Sequence, residues 1–248
     1  PADMPRKQRN GDPMFQPTRR AIATDRAVHV GMAVAVVVAE TVAQAKDAAE
    51  LIQVEYQPLP VNVETGAARA DQTPALWEDC ATNEAFLYTA GDKEAVDNAF
   101  DGAAHVVGHR FMINRISACT METRGCVGDY DPGTDRFTLH TGLQRPYLFR
   151  NSIAEMALFI QEPQLRLVAP DIGGSFGLRG SIYPEMILTL WACKRVGRPV
   201  KWICERGESF ISDDHARDNV TEAALALDAD GKFLALRAKT DANLGAFL

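Results

Sequence analysis

The run LRLVAPDIGGSFGLRGSIYPEMILTLWACKRVG, Leu165 to Gly197, sets an apolar stretch against a helix-like one with a nearly bare turn between them. Gly173, Gly174, Gly177 and Gly180 fall within eight residues. Such a backbone can take positive φ and approach a neighbour more closely than side chains allow. Strand, bare turn, helix and then the apolar PVKWICE predict a βαβ crossover, with the turn at the carboxyl end of a strand, where parallel α/β units bind ligands. Phosphates and dinucleotides use the same plan. The spacing fits neither, because the glycines stand at 174, 177 and 180 rather than as GxGxxG, and no Gly-Lys-Ser/Thr follows. Close strand–helix packing accounts for Gly180 but leaves Phe176 unexplained. An aromatic residue between φ-permissive ones points to backbone N–H groups turned toward a guest, with a ring beside it.

The rest of the chain reads as α/β (α+β). MAVAVVVAE and IQVEYQPLPV predict two strands around a helix that starts at the Thr41/Gln44 capping box, a second βαβ crossover. The Gly-, Pro- and Asp-bearing stretch from Glu64 to Ala85 is the expected domain boundary. Asp92 is placed to cap helix KEAVDNAF, which runs into strand AHVVGHRFMI. DPGTD predicts a hairpin between GCVGDY and RFTLHT. Helix YLFRNSIAEMALFI is expected to bury Leu148, Ile153, Met156, Ala157 and Ile160, and the tail to form a hairpin around Asp-Ala-Asp-Gly. That tail stops at Leu248 within an apolar run, an edge that predicts a fragment of a longer chain.

Charge excludes some partners. The net charge is −7 with scattered acids, so a nucleic-acid or anionic-membrane surface is not expected. The one basic run, Pro5 to Arg9 with Arg19 and Arg20 behind it, reads as a solvated arm. Cys80, Cys119, Cys126, Cys193 and Cys204 form no CxxC. They read as reduced small hydrophobes in a cytoplasmic protein rather than as iron–sulfur or zinc ligands. His105 and His109 share a strand face without a third ligand, and Asp213, Asp214 and His215 read as turn and cap residues. Glu122 with Arg124 reads as a structural ion pair, and Glu185 as a carboxylate suited to a helix start.

TGLQRP, then LVAPDIGGSFG about 30 residues on, then GRPVKWICERGESF resembles the molybdenum hydroxylase family of xanthine dehydrogenase, aldehyde oxidoreductase and aerobic carbon monoxide dehydrogenase. ACTMETRGCVGDYD resembles that family's "MEPRG" stretch, and VHVGMAVAVVVAETVAQAKDAAELIQVEYQPLP its hammerhead domain. The resemblance implies a partial hammerhead domain over residues 1–75 and the first part of a molybdopterin-binding domain over 85–248. It implies a molybdenum–molybdopterin cofactor faced by Gln144 and by Gly173, Gly174, Ser175, Phe176 and Gly177, with Ser175 where the family usually has glycine. Neutral donors suit that role, since they hold the metal's own ligands without displacing them. No direct metal ligand and no catalytic residue is expected in this segment, because the family's base lies far toward the C-terminus. Purine-oxidising members carry a Glu at the position of Gly180, which argues against xanthine as substrate. Separate iron–sulfur and flavin subunits are implied as electron acceptors. The alternative is a non-enzymatic half that assembles with a second chain supplying the catalytic part.

Overall fold

The computed structural model describes residues 7–247, so Leu248 and the start of the basic run, Pro5 and Arg6, lie outside the described residues. The core forms around a mixed four-stranded sheet in the order β4-β3-β2-β5. Strand β2 (Gly125–Asp131) and strand β3 (Arg136–Thr141) are the hairpin expected around Pro132-Gly133. Asp131 Oδ1 accepts from Gly133 N at 2.9 Å and fixes its turn. Helix α3 (Pro146–Asn151) then carries the chain to β4 (Leu165–Val168), which lies parallel to β3. From β4 the glycine turn leads into helix α4 (Pro184–Val196), and β5 (Val200–Ile203) adds to the far edge beside β2. Strands β4 and β5 therefore run parallel but at opposite edges. The expected crossover spans the whole sheet instead of joining neighbours.

One face of this sheet is sealed by α3 and α4. Phe137, Leu139 and Leu165 from the strands meet Phe149, Ile153 and Ala154, and Met186, Leu190 and Cys193 complete the layer. The face of the first of these helices differs in part from the sequence expectation. After Asn151 it widens into a π-helical turn, Ser152–Leu158, and ends where Phe159 turns left-handed at φ 56°. Ile153 is buried and Ile160 packs against the core as expected, but Phe149 and Ala154 are buried as well and Leu148 is exposed.

A second, antiparallel sheet has the order β1-β6-β7. Strands β6 (Ala216–Leu227) and β7 (Phe233–Ala242) are the expected tail hairpin. Strand β1 (His105–Ile116) pairs along β6 from His105 opposite Leu227 to Ile116 opposite Ala216. Helix α2 (Lys93–Asp101) precedes β1 and is capped by Asp92, whose side chain accepts from Ala95 N. Helix α5 (Arg206–Ser212) links β5 to β6.

The N-terminal crossover is not formed. Helix α1 (Val42–Glu50) is present with its Thr41/Gln44 capping box, but neither MAVAVVVAE nor IQVEYQPLPV is a strand. Extended chain becomes sheet only when a neighbouring strand takes its N–H and C=O groups, and among the described residues neither run has one. Val36, Val38, Val54 and Tyr56 stay exposed. No helix among the described residues is long and apolar enough to cross a membrane.

Helix α4 rides very close to β2. A Cβ on Gly128 would stand 2.8 Å from the Thr189 carbonyl carbon and oxygen and 2.9 Å from Leu190 N, all backbone atoms that cannot swing away. Gly128→Ala should therefore destabilise the protein by about 1–3 kcal/mol, read as a lowered urea midpoint. An unchanged midpoint would mean that the helix can lift off the sheet without loss.

Candidate functional site

Beyond Val168 the chain leaves β4 and makes the glycine turn. Gly174 sits at φ 106°, Phe176 at 50° and Gly177 at 100°. Leu178 N donates to Ser175 O at 3.0 Å and Gly180 N to Gly177 O at 2.9 Å, closing a 3₁₀ turn over Leu178–Gly180. Ser175 Oγ accepts from Arg179 N at 3.3 Å, so the serine fastens the turn locally. Leu178 and Arg179 are buried beneath, whereas Phe176 is 82% exposed. The N–H groups of Ser175, Phe176 and Gly177 have no acceptor among the described residues. A phenyl ring in water and a non-glycine residue in the left-handed region are both unfavourable for an isolated turn.

Gln144 arrives three residues past β3. Its backbone N donates to Arg179 O at 3.1 Å, and its side-chain oxygen would lie 3.1 Å from a Cβ at Gly180. Gly180 was expected to serve strand–helix packing. It instead leaves room for the Gln144 amide. The structure thus brings Gln144 beside the turn that holds Gly173, Gly174, Ser175, Phe176 and Gly177, although they are about 30 residues apart in the chain.

Two residues that sequence reasoning did not place here organise the junction. Arg179 is 2% exposed. Its Nε donates to Gly174 O at 2.9 Å, and its Nη2 donates to Glu122 Oε2 at 2.9 Å, Glu122 O at 3.1 Å and Thr123 O at 3.3 Å. Glu122 Oε2 also accepts from Gly173 N at 2.7 Å, and Glu122 N donates to Gly173 O at 3.2 Å. The ion pair expected between Glu122 and Arg124 is not made. Each finds an opposite charge far away in the chain, a pairing that local spacing does not signal.

Arg124 lies behind this junction, buried with its Nε 2.7 Å from Asp213 Oδ1 and its Nη1 2.5 Å from Glu185 Oε1. Its Nη2 donates to Ser212 Oγ at 2.6 Å, and its guanidinium stacks 3.8 Å over the Tyr183 ring. Glu185 does open α4, but its carboxylate serves this cluster. Asp213 ends α5 as expected and also accepts from Ser209 Oγ at 2.5 Å. Asp214 N donates to Tyr183 Oη, and His215 contacts Phe210 O. His109 packs edge-on to Phe111 at 4.7 Å. No group of three or more metal-ligating side chains occurs among the described residues. Burial pushes the thiol of Cys126 up to about 12, and those of Cys193 and Cys204 up to about 11.

Residues 77–248 match the molybdopterin cofactor-binding domain, and residues 1–60 match the aldehyde oxidase and xanthine dehydrogenase a/b hammerhead domain. The chain belongs to the molybdopterin cofactor-binding family, whose members are molybdopterin oxidoreductases. It is 37% identical to the carbon monoxide dehydrogenase large chain of Hydrogenophaga pseudoflava over 240 residues, covering 92% of this chain and 30% of that protein. It is 36% identical to the gamma subunit of the 6-hydroxypseudooxynicotine dehydrogenase complex of Paenarthrobacter nicotinovorans, covering 91% of this chain and 28% of that one. The crystal structure of quinoline 2-oxidoreductase from Pseudomonas putida 86 superposes with a TM-score of 0.84 at 38% identity, covering 91% of this chain and 28% of that one. The chain thus spans under a third of the length of these relatives.

The buried cluster has a pH consequence. Loss of water around Glu185 outweighs the pull of Arg124 and pushes its carboxyl from 4.5 up to about 7. Between those values the folded state holds a proton that the unfolded chain has released. Stability contributed by this group is therefore greatest at low pH and falls as pH rises through about 7. Urea midpoints at about pH 5 and about pH 8 should differ less in Glu185→Gln than in the parent. Equal differences would show that Glu185 ionises as it does in water.

Proposed function

We propose that this chain is part of the molybdenum-cofactor-bearing large subunit of a molybdenum hydroxylase, and that Gln144 and residues 173–177 face the cofactor. The observation that supports this most is the turn itself. Three N–H groups without acceptors among the described residues lie beside a neutral amide and an exposed phenyl ring. Neutral donors of that kind fit a molybdenum–pterin group, since thiolates or imidazoles would bind the metal outright. When bound, the group supplies two-electron oxidation of the substrate with oxygen drawn from water.

In this reading each residue has a defined task. The Gln144 side-chain N–H and the N–H groups of Ser175, Phe176 and Gly177 donate to the cofactor's polar edge, fixing its orientation without taking a proton. Phe176 walls one side and keeps water from it. Gly180 offers no carboxylate to a purine, so the favoured substrates are an aldehyde, another N-heterocycle or carbon monoxide. Proton removal falls to a residue outside this segment, so the chain alone is inactive. Electrons leave through separate iron–sulfur and flavin subunits, in the cytoplasm. The second reading is a non-enzymatic half joined by another chain that supplies the catalytic part. Turnover of an aldehyde, an N-heterocycle or carbon monoxide by the isolated chain would overturn both.

Losing a charge-assisted hydrogen bond from Gln144 should cost roughly 1.5–3 kcal/mol, on the order of a 10- to 100-fold fall in kcat. Gln144→Glu should be worse than Gln144→Ala, because a carboxylate repels an anionic partner. Phe176→Ala should fold normally and turn over more slowly. The measurement is steady-state turnover per bound molybdenum in the assembled enzyme. Parent values for all three variants would leave Gln144 and Phe176 as surface residues.

A further inference from the structure

We infer that Arg179, anchored by Glu122, is the positioning residue that holds Gln144 and the turn 173–177 in register. The inference rests on the cofactor-facing reading of those residues and adds to it the part that sets their spacing. Arg179 touches both halves at once. Its backbone oxygen accepts from Gln144 N at 3.1 Å, while its Nε donates to Gly174 O at 2.9 Å. One residue therefore fixes the distance between the amide and the turn.

The guanidinium cannot drift. It is 2% exposed, and a guanidinium out of water needs its charge matched. Glu122 supplies the charge at 2.9 Å, and two carbonyls of the 122–123 segment take further donors. The same Glu122 carboxylate oxygen receives Gly173 N at 2.7 Å. Glu122 thus holds the turn directly as well as through Arg179. The Glu122 side chain remains 51% exposed. Gly142 completes the seat, because a Cβ there would stand 2.7 Å from Arg179 Nη1. A lysine at 179 could keep the charge pair but could not reach Glu122 and Gly174 O together with a planar fork.

Arg179 is not proposed to touch cofactor or substrate. Its effect passes through the backbone of Gly174 and Gln144, which separates it from the donors named above.

Two kinds of measurement test this. Amide hydrogen exchange of the cofactor-free protein reads the turn itself, with no cofactor chemistry involved. Arg179→Met should speed exchange at Gly173 and Gln144 by about tenfold or more while β2 and β3 keep parent protection. Gly142→Ala should do the same by displacing the guanidinium, and serves alone if the methionine variant does not fold. Glu122→Gln should loosen Gly173 most, and Arg179→Lys should fall between parent and methionine. In the assembled enzyme the same order should hold for molybdenum content and for kcat per bound molybdenum, with KM changed less. Unaltered exchange at 173 and 144 in both Arg179→Met and Gly142→Ala would overturn the inference. So would protection lost equally in β2 and β3, since Arg179 would then merely hold up the fold. Loosened amides with parent molybdenum content and kcat would keep Arg179 as the holder of the turn and sink the cofactor-facing reading instead.

Discussion

A buried guanidinium sets the terms for much of this structure. Arg124 is 4% exposed, and an unpaired cation there would cost several kcal/mol. Two carboxylates and a hydroxyl from two separate stretches of chain come to meet it, Glu185 at the start of α4, and Asp213 at the end of α5 with Ser212 beside it. Hydrophobic contact alone would let α4 and α5 slide on the sheet. A charge that must be matched at fixed distances does not. The β2–α4–α5 corner is therefore pinned by directional bonds where the core is otherwise apolar.

The glycine turn hangs from that corner. Arg124 stacks on Tyr183, and Tyr183 Oη donates to Leu178 O at 2.9 Å, the first residue of the 3₁₀ turn that follows Gly177. From the other side Glu122, two residues before Arg124, grips Gly173 and Arg179. The two charged residues of the sequence ETR thus hold the two ends of one turn. Their partners Arg179 and Glu185 stand on either side of Tyr183, so rotating one clasp would pull on the other. A turn supported in this way can keep Phe176 left-handed and exposed without collapsing.

How much of this could be seen in the sequence depends on the range of the signal. The Thr41/Gln44 capping box, Asp92, the Asp131 turn and the tail hairpin are readable because a few neighbouring residues decide them. The partner of β1 is not, since β6 begins 100 residues after β1 ends and nothing local names it. The N-terminal strands failed for the complementary reason. Their composition suits a sheet, but composition cannot supply a neighbour to bond with. The helix over YLFRNSIAEMALFI is legible, and so is its buried Ile153, whereas Leu148 is exposed and Phe149 and Ala154 are buried, and the π-helical turn after Asn151 is not signalled by the spacing. At the site, residue type and family resemblance brought out Gln144 and the turn. Arg179 and Glu122 stayed hidden, because an arginine near a glycine run and an acid in a loop resemble ordinary surface residues until their partners are known.

The bareness of the turn has two separate causes, and they divide its glycines. Gly174 and Gly177 are glycine because of φ, since both stand near 100° where side chains are strained. Nothing lies within 4 Å of a Cβ at Gly177, so space is not its constraint. Gly173 and Gly180 have ordinary φ and are glycine because a polar side chain occupies the space of a Cβ. A methyl on Gly173 would overlap Glu122, and one on Gly180 would crowd the Gln144 amide. Gly142, outside the turn, gives the same kind of room to Arg179. Glycines of the second kind let charged and amide groups lie flat against backbone, which is how a carboxylate, a guanidinium and a carboxamide converge within a few residues. Fingerprint spacing misses this site for that reason. A phosphate loop spaces its glycines for a ligand, whereas here half of them are spaced for the protein's own side chains.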